Sequence, residues 1–195
     1  MIPVLFIMAL FLSNCSASKK TAAADIVVIT PRSAWNALPP KQYKQHTPIR
    51  ITVHHEGTRL EPADDAAKKI AAIQKWGMGP DRKWADIPYH FLIAPDGTIY
   101  EGRGVGTVGE TNTEYDPTGH LLINCLGNME VQPLPQAQLQ SLIRLIAYNA
   151  KKYNIPLETL STHRDNSTQT TCPGKNLYAK FQDSTVQRSA KALMR

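Results

Sequence analysis

The sequence predicts an α/β domain in which short apolar strands lie inside and amphipathic helices lie outside. Short runs of apolar and β-branched residues, bounded by turn residues, are typical of buried strands. Longer segments alternate with them, and their apolar residues recur every three or four positions, as on one face of a helix. The chain has 195 residues, which is enough for one domain with a substantial core.

The folded domain is predicted to begin at about residue 30 and to run to residue 195. Gly77 and the Gly79-Pro80 pair end its first helix, and Pro95-Asp96-Gly97 forms a turn between two strands. In chain order the predicted elements are a strand at 50–55, a helix at 63–76, strands at 89–94, 98–101 and 121–126, a helix at 136–153, a short helix from 173 to 181, and a terminal helix at 184–195.

Residues 1–15 are predicted to be a signal segment. Residues 2–12 are almost wholly apolar, but they are too few to span a bilayer, which needs about 20 residues. They fit the apolar region of a secretory signal. The segment ends at Leu12-Ser13-Asn14-Cys15, which resembles a bacterial lipoprotein signal whose cysteine is lipidated. An ordinary signal peptide with a cysteine nearby is the alternative.

Residues 16–29 are rich in Ser, Lys, Ala and Thr, and are predicted to be a flexible tether. Together with the signal segment, they predict an exported protein. It is anchored to the membrane of the cell envelope through Cys15, or else it is secreted or periplasmic.

The chain carries 22 basic and 16 acidic residues, a formal net charge of +6. A basic surplus suits an anionic polymer such as nucleic acid, an acidic membrane surface or a cell wall. Because no run of Lys and Arg is interleaved with aromatic residues, a nucleic-acid partner is not predicted. A basic protein without any polyanionic partner is the alternative.

Three residues of the types that bind zinc stand out. His54 ends the apolar run Ile51-Thr52-Val53, while His163 and Cys172 lie close together much later in the chain. Two imidazoles and one thiolate leave the fourth tetrahedral position of Zn²⁺ open for water, which separates a catalytic site from a structural one. The pattern predicts a catalytic zinc. Histidines and a cysteine that only pack in the core are the alternative.

The other cysteine of the folded domain, Cys125, is predicted to be buried. It lies in the apolar strand at 121–126, and a lone buried cysteine is common. An exported protein can pair two cysteines, but a zinc thiolate at Cys172 is incompatible with a disulfide there. We therefore expect no disulfide.

Five motifs occur in order along the chain: Arg32-Ser33-Ala34-Trp35, Thr52-Val53-His54-His55, the run 84–93, the run 96–104, and His163-Arg164-Asp165 with Cys172-Pro173-Gly174. From about Arg32 to Tyr178 the chain resembles zinc-dependent N-acetylmuramoyl-L-alanine amidases of the type-2 amidase and peptidoglycan-recognition-protein family. The resemblance implies a central mixed, mostly parallel β-sheet flanked by α-helices. It also implies zinc held by His54, His163 and Cys172. The implied reaction cuts the amide bond between N-acetylmuramic acid and the L-alanine of peptidoglycan stem peptides.

The resemblance further implies that Tyr89 is catalytic, and it places Thr170 where some relatives carry Lys. Chemistry supports both roles, because a phenol or hydroxyl near the metal can donate to the developing oxyanion. Losing one such donor costs on the order of 3 kcal/mol. A strand aromatic that packs in the core, and a threonine that is common in loops, are the alternatives.

His55 and His90 are predicted not to bind the metal. Each follows a proposed site residue on a strand, His54 and Tyr89 respectively, and successive side chains on a strand point to opposite faces. If His54 and Tyr89 face the cleft, their neighbours do not.

Three departures from the family pattern bear on substrate contacts rather than on zinc binding. Glu56 stands where relatives often carry a small hydroxyl residue, and Glu110-Thr111 replaces a common Ala-His. The spacing from His163 to Cys172 is one residue longer than expected.

Functions other than this amidase stay open: a non-catalytic wall-binding module, a zinc amidase or peptidase for another acyl group, and a domain whose zinc is structural or absent. Cys172 favours an enzyme.

Overall fold

The structure, a computed structural model, describes residues 27–195. The predicted signal segment, its Cys15 and residues 16–26 of the predicted tether lie outside the described residues. Within residues 27–195, none of the helices is both long and apolar enough to cross a bilayer.

Six strands form one mixed sheet with the order β1-β4-β3-β5-β2-β6. In chain order they are β1 (Ile29–Thr30), β2 (Arg50–His55), β3 (Phe91–Ile93), β4 (Ile99–Glu101), β5 (His120–Cys125) and β6 (Ser161–Thr162). β3 and β4 pair antiparallel across a short turn, and the other neighbouring pairs are parallel. The predicted mixed, mostly parallel sheet is thus confirmed.

Helices flank this sheet on both faces. They are α1 (Ala66–Gly77), α2 (Gln136–Tyr153), the single turn α3 (His163–Asn166), α4 (Lys175–Gln182) and α5 (Thr185–Leu193). α2, α4 and α5 pack against one face in the larger apolar core, and α1 packs against the other face in a smaller one. The α/β architecture with helices outside is therefore confirmed.

Alternation along β2 sorts its side chains between the two faces. Ile51 and Val53 belong to the larger core under α2. Thr52 and His54 therefore point to the face that carries α1. This alternation places His54 on the face of the sheet where the smaller core leaves room for a cleft.

The folded part begins slightly before the predicted boundary at residue 30. Ile29 pairs with Ile99 of β4, and Val27 and Ile29 pack against the larger core. The last residue of the predicted tether, Ile29, thus belongs to the sheet. The predicted helix at 63–76 begins instead at Ala66, because the Asp65 carboxylate accepts the Lys68 backbone N–H at 2.9 Å and caps it.

Candidate metal centre

His54 is placed by β2, the strand next to the edge strand β6. It lies near the end of β2, opposite Asn124 of the neighbouring β5, and its side chain is only 2% exposed. Two flanking strands, β5 and β6, pair with β2, so the backbone that carries this imidazole is held on both sides.

His163 is placed by a tight turn at the end of β6. The Asp165 carboxylate accepts both the N–H and the O–H of Thr162, each at 2.7 Å. Tyr178 donates its hydroxyl to the same carboxylate at 3.0 Å. These bonds start α3 at His163 and aim its ring back toward β2; the His163 and His54 ring centroids are 4.6 Å apart.

Cys172 is placed by backbone contacts on either side. Its carbonyl accepts the Arg164 N–H at 2.8 Å, and its sulfur lies 3.3 Å from the His55 backbone nitrogen, which donates to it. Gly174 follows with a φ of +82°, and a Cβ there would lie 2.4 Å from the Glu130 backbone nitrogen. Only glycine fits this close approach without a shift of the chain.

The three side chains converge as a ligand set. One ligand atom from each of His54, His163 and Cys172 lies within 4.8 Å of the others, and Cys172 Sγ lies 3.7 Å from His54 Nδ1. A tetrahedral zinc bound at ~2.3 Å by sulfur and ~2.0 Å by nitrogen holds those atoms about 3.5 Å apart. The donor types therefore fit zinc, and the distance of 3.7 Å between Cys172 Sγ and His54 Nδ1 is close to that value.

Burial keeps the ligand side chains neutral when no cation is bound. It lowers the pKa of His54 well below its usual value, an effect that His163 reinforces, and it lowers the pKa of His163 to about 4. It raises the pKa of the Cys172 thiol to about 12. Neutral imidazoles are ready ligands, whereas the thiol must lose its proton as a cation binds.

Tyr89 and Thr170 lie in the same open cavity as the ligand set, a space of about 220 Å³. The Tyr89 and His54 ring centroids are 5.3 Å apart. Burial, followed by the nearby Cys172 and Glu56, raises the pKa of Tyr89 well above its usual value, so the phenol stays protonated and can donate. The Thr170 hydroxyl accepts the Cys172 N–H at 3.0 Å, which leaves its own proton free.

The two neighbouring histidines are bonded elsewhere. His90 accepts the Leu122 N–H at Nδ1 and bonds the Thr107 carbonyl through Nε2, at 2.8 and 2.9 Å. Contrary to the expectation from strand alternation, His55 also lines the cavity, although its Nδ1 accepts the Met129 N–H at 3.1 Å. Neither belongs to the ligand set.

The unusual acidic residues have identifiable partners. Glu110 forms a buried ion pair with Arg103 and accepts the Ala85 N–H at 3.1 Å. Its carboxylate thus serves an internal bond as well as lining the cavity. Glu56 also lines the cavity, and it bonds Lys69 Nζ at 3.0 Å.

Three polar residues at the site have no counterpart among the sequence-derived candidates. The Thr113 hydroxyl lies 2.7 Å from His163 Nε2, and the Tyr115 hydroxyl lies 3.3 Å from His54 Nε2. Asn124 is fully buried beside Tyr89, yet neither of its amide atoms has a hydrogen-bond partner. A polar residue inside an apolar strand was a signal for Asn124, whereas the loop residues gave none.

Comparison with known proteins places these features in a wider group. The family described as N-acetylmuramoyl-L-alanine amidase matches residues 44–175. Peptidoglycan recognition protein 1 of Bos indicus is 31% identical over 166 residues, which cover 83% of this chain and 86% of that protein.

Solved structures of two proteins with related names are similar in fold to this chain. Peptidoglycan recognition protein LE, in complex with tracheal cytotoxin, a monomeric diaminopimelic acid-type peptidoglycan, is similar with a TM-score of 0.71 at 30% identity. The match covers 80% of this chain and 92% of that one. The endolysin N-acetylmuramoyl-L-alanine amidase LysCS of Clostridium intestinale is similar with a TM-score of 0.61 at 30% identity, over 80% and 95% of the two chains.

Proposed function

The chain belongs to the N-acetylmuramoyl-L-alanine amidase family, and from this membership we propose that it is a zinc-dependent hydrolase of peptidoglycan. It cuts the amide bond between N-acetylmuramic acid and the L-alanine of the stem peptide. The observation that carries the proposal is the convergence of His54, His163 and Cys172 in a cavity that also contains the Tyr89 phenol.

Each residue has a definite task in this reaction. His54 and His163 bind as neutral imidazoles, and Cys172 binds as a thiolate after its proton has left. Zinc held by this set would lower the pKa of a bound water to about 7 and polarise the scissile carbonyl. Tyr89, kept protonated by burial, donates to the oxyanion that develops on the former carbonyl oxygen, and the Thr170 hydroxyl assists.

A groove beside the metal cavity offers room for the substrate. This second cavity, of about 410 Å³, lies along α1 and is lined by residues that include Lys69, Trp76 and Trp84. It shares Glu56 and Tyr89 with the metal cavity. We propose that a muropeptide lies across both, with its scissile amide beside Tyr89.

Digestion of purified sacculi tests the proposed bond. The wild-type protein should release stem peptides with a free L-alanine amino terminus and leave the lactyl carboxyl group on the glycan. Removal of metal with a chelator should stop the release, and added Zn²⁺ should restore it. New end groups at another bond, with none at this amide, would contradict the assignment.

A peptidoglycan-binding module without activity is the second candidate. It is favoured by the relatives named recognition proteins, one of them in complex with a monomeric peptidoglycan. Such a module would sediment with sacculi and release no end groups. A zinc amidase for a different acyl group would instead cleave model acyl-peptides and spare the muramyl amide.

We propose an envelope location, with the domain tethered outside the cytoplasm through a lipid on Cys15. The support is the apolar segment at 2–12, which ends near this cysteine, and the polar segment that follows. Peptidoglycan would be the macromolecular partner, and the membrane would be contacted through the lipid. Cys15→Ala should release the protein from membranes or leave its signal uncleaved. An intact mass that shows an unmodified chain starting after Cys15 would rule out the anchor and leave a secreted or periplasmic amidase.

A further inference from the structure

One loop contacts both candidate histidine ligands through their Nε2 atoms. The Thr113 hydroxyl lies 2.7 Å from Nε2 of His163, and the Tyr115 hydroxyl lies 3.3 Å from Nε2 of His54. Both residues belong to the segment 111–115, which we call the bracing loop. Zinc in proteins is usually bound by Cys, His, Asp or Glu, so the contacts of a threonine and a tyrosine call for another explanation.

The two nitrogens of each imidazole therefore face different surroundings. At His54, Nδ1 lies 3.7 Å from Cys172 Sγ while Nε2 faces Tyr115. A neutral imidazole that donates from Nε2 presents its lone pair at Nδ1. At His163 the Thr113 hydroxyl occupies Nε2 in the same way, which leaves Nδ1 for the ligand set.

The bracing loop is itself fixed to the rest of the site. Just before it, Glu110 is held by the buried ion pair with Arg103. Within it, the Glu114 carboxylate accepts the Ser167 hydroxyl at 2.6 Å and the Thr168 N–H at 3.1 Å. The loop is thereby tied to the segment that leads to Cys172, so its hydroxyl groups have defined positions.

We propose that Thr113 and Tyr115 are positioning residues, which fix both histidines as Nε2–H tautomers with Nδ1 toward the metal and so set the zinc affinity. The inference rests on the proposed zinc function, and it adds the residues that tune the site. Hydrogen-bond partners of metal-bound histidines hold the ring orientation, and their loss typically weakens metal binding by 10–100-fold.

Zinc affinity measured on the full chain tests the proposal without any activity assay. Thr113→Val and Tyr115→Phe each remove one hydroxyl and keep the shape of the side chain. Competition with a chromophoric chelator should show the zinc Kd rising about tenfold in each variant, and further in the double variant. Thr118→Val, which removes an exposed hydroxyl just after the loop, and Tyr148→Phe on α2 should keep the wild-type Kd.

Tautomers give a second readout. In the zinc-loaded wild-type protein with ¹⁵N-labelled histidine, two-bond ¹⁵N–¹H spectra should show a proton on Nε2 of the two histidines whose signals shift on metal binding. A proton on Nδ1 of either one would overturn the proposal.

The outcomes separate this inference from the proposed function. Tight zinc binding by the wild type, with an unchanged Kd in both variants, overturns the inference and leaves the function intact. If Thr118→Val and Tyr148→Phe weaken zinc binding as much as the loop variants do, the loss reflects a general loosening of the fold. That result also overturns the inference. A wild-type protein that binds no zinc overturns both.

Discussion

The Sγ atom of Cys172 lies 3.7 Å from Nδ1 of His54, although 118 positions separate the two residues along the chain. His54 sits on β2, next to the edge of the sheet, and Cys172 sits on a loop that follows β6, the last strand in the described chain. The candidate centre therefore depends on the whole tertiary fold rather than on a local motif. A metal that joins these residues links the beginning of the domain to its end.

Replacement of this thiol tests the ligand set. Cys172→Ser should lose most of its bound zinc and most of its activity, because a hydroxyl is a much weaker ligand than a thiolate. Elemental analysis should give one zinc per chain for the wild type and much less for the variant. Cys125→Ala is the matched control, since Cys125 is buried in the core on β5 and outside the ligand set. A fully active, metal-free wild type would disprove the centre.

Removal of the Tyr89 hydroxyl tests its proposed donor role. Tyr89→Phe should fold and keep its zinc, because the ring packs without the oxygen, while turnover falls by roughly 10²–10³-fold. Single-turnover rates, measured together with zinc content, distinguish loss of the phenol donor from loss of the metal. Thr170→Val should show a smaller loss. Near wild-type turnover in Tyr89→Phe would make Tyr89 a packing residue only.

The ion pair of Arg103 and Glu110 should stabilise the fold. The Arg103 guanidinium also donates to the carbonyls of Asp86 and Ile87, and it is 1% exposed. Glu110→Ala leaves this buried charge unpaired and should lower the free energy of unfolding by about 3–5 kcal/mol. Urea titration of the zinc-free protein measures it.

An exposed pair provides the control for that measurement. Glu61→Ala breaks the contact between Arg59 and Glu61, whose side chains are 63% and 49% exposed, and should cost about 1 kcal/mol or less. Equal losses in the Glu110 and Glu61 variants would mean that burial of the ion pair has no special effect on stability.

Acid should destabilise the protein through His90. Burial is the main cause that lowers its pKa from 6.5 to about 3. The unfolded chain takes up this proton below pH 6.5, while the folded protein does so only near pH 3. Above pH 6.5 both states hold His90 neutral, and its titration does not lower the free energy of unfolding. As the pH falls from 6.5 toward 3, only the unfolded chain binds the proton, and the free energy of unfolding decreases. One such group removes about 2 kcal/mol between pH 7 and 5.

Urea unfolding with chelator present measures this pH dependence without a contribution from zinc release. His90→Gln should show a smaller change between pH 7 and pH 5 than the wild type. A change that is identical in the two proteins would remove His90 as a cause.

Asn124 offers a test in which stability and activity move apart. Its buried amide has no hydrogen-bond partner, and an unsatisfied buried group costs about 1–3 kcal/mol. Asn124→Leu should therefore leave the free energy of unfolding unchanged or raise it. Because the amide lies beside the Tyr89 phenol and its loss changes the polarity around that phenol, turnover should fall. A destabilised variant with full turnover would contradict both expectations.

Long periodic elements could be predicted from the sequence. The apolar positions of α2 recur at helical spacing over 18 residues, and its bounds, Gln136–Tyr153, agree with the prediction. β2 was predicted with its bounds as well. In both, the local pattern and the tertiary packing favour the same structure.

The shortest elements could not be predicted, because tertiary contacts create them. β6 has two residues and exists because Thr162 pairs with Val53, while the Asp165 carboxylate sets the turn after it. β1 likewise depends on its pairing with β4. Segments this short carry no periodicity that a sequence pattern can reveal.

The candidate site divides in the same way. His54, His163 and Cys172 belong to residue types and motifs that by themselves indicate a metal. Thr113 and Tyr115 lie in a polar segment without periodicity, and only the path of the bracing loop brings them to the histidines. Their residue types alone predicted nothing.

The edge position of β1 governs how the domain responds to mechanical load. Any pull from the chain before Val27 enters through β1, which pairs with β4 at two positions, Ile29 with Ile99 and Thr30 with Tyr100. In the sheet order, β1 lies four strand spacings from β2, or about 19 Å at ~4.8 Å per spacing. Force applied there peels away a two-residue edge strand before it reaches the strand that carries His54. If the domain is pulled by its N-terminal end, we therefore expect β1 to unpair first, far from the candidate metal centre.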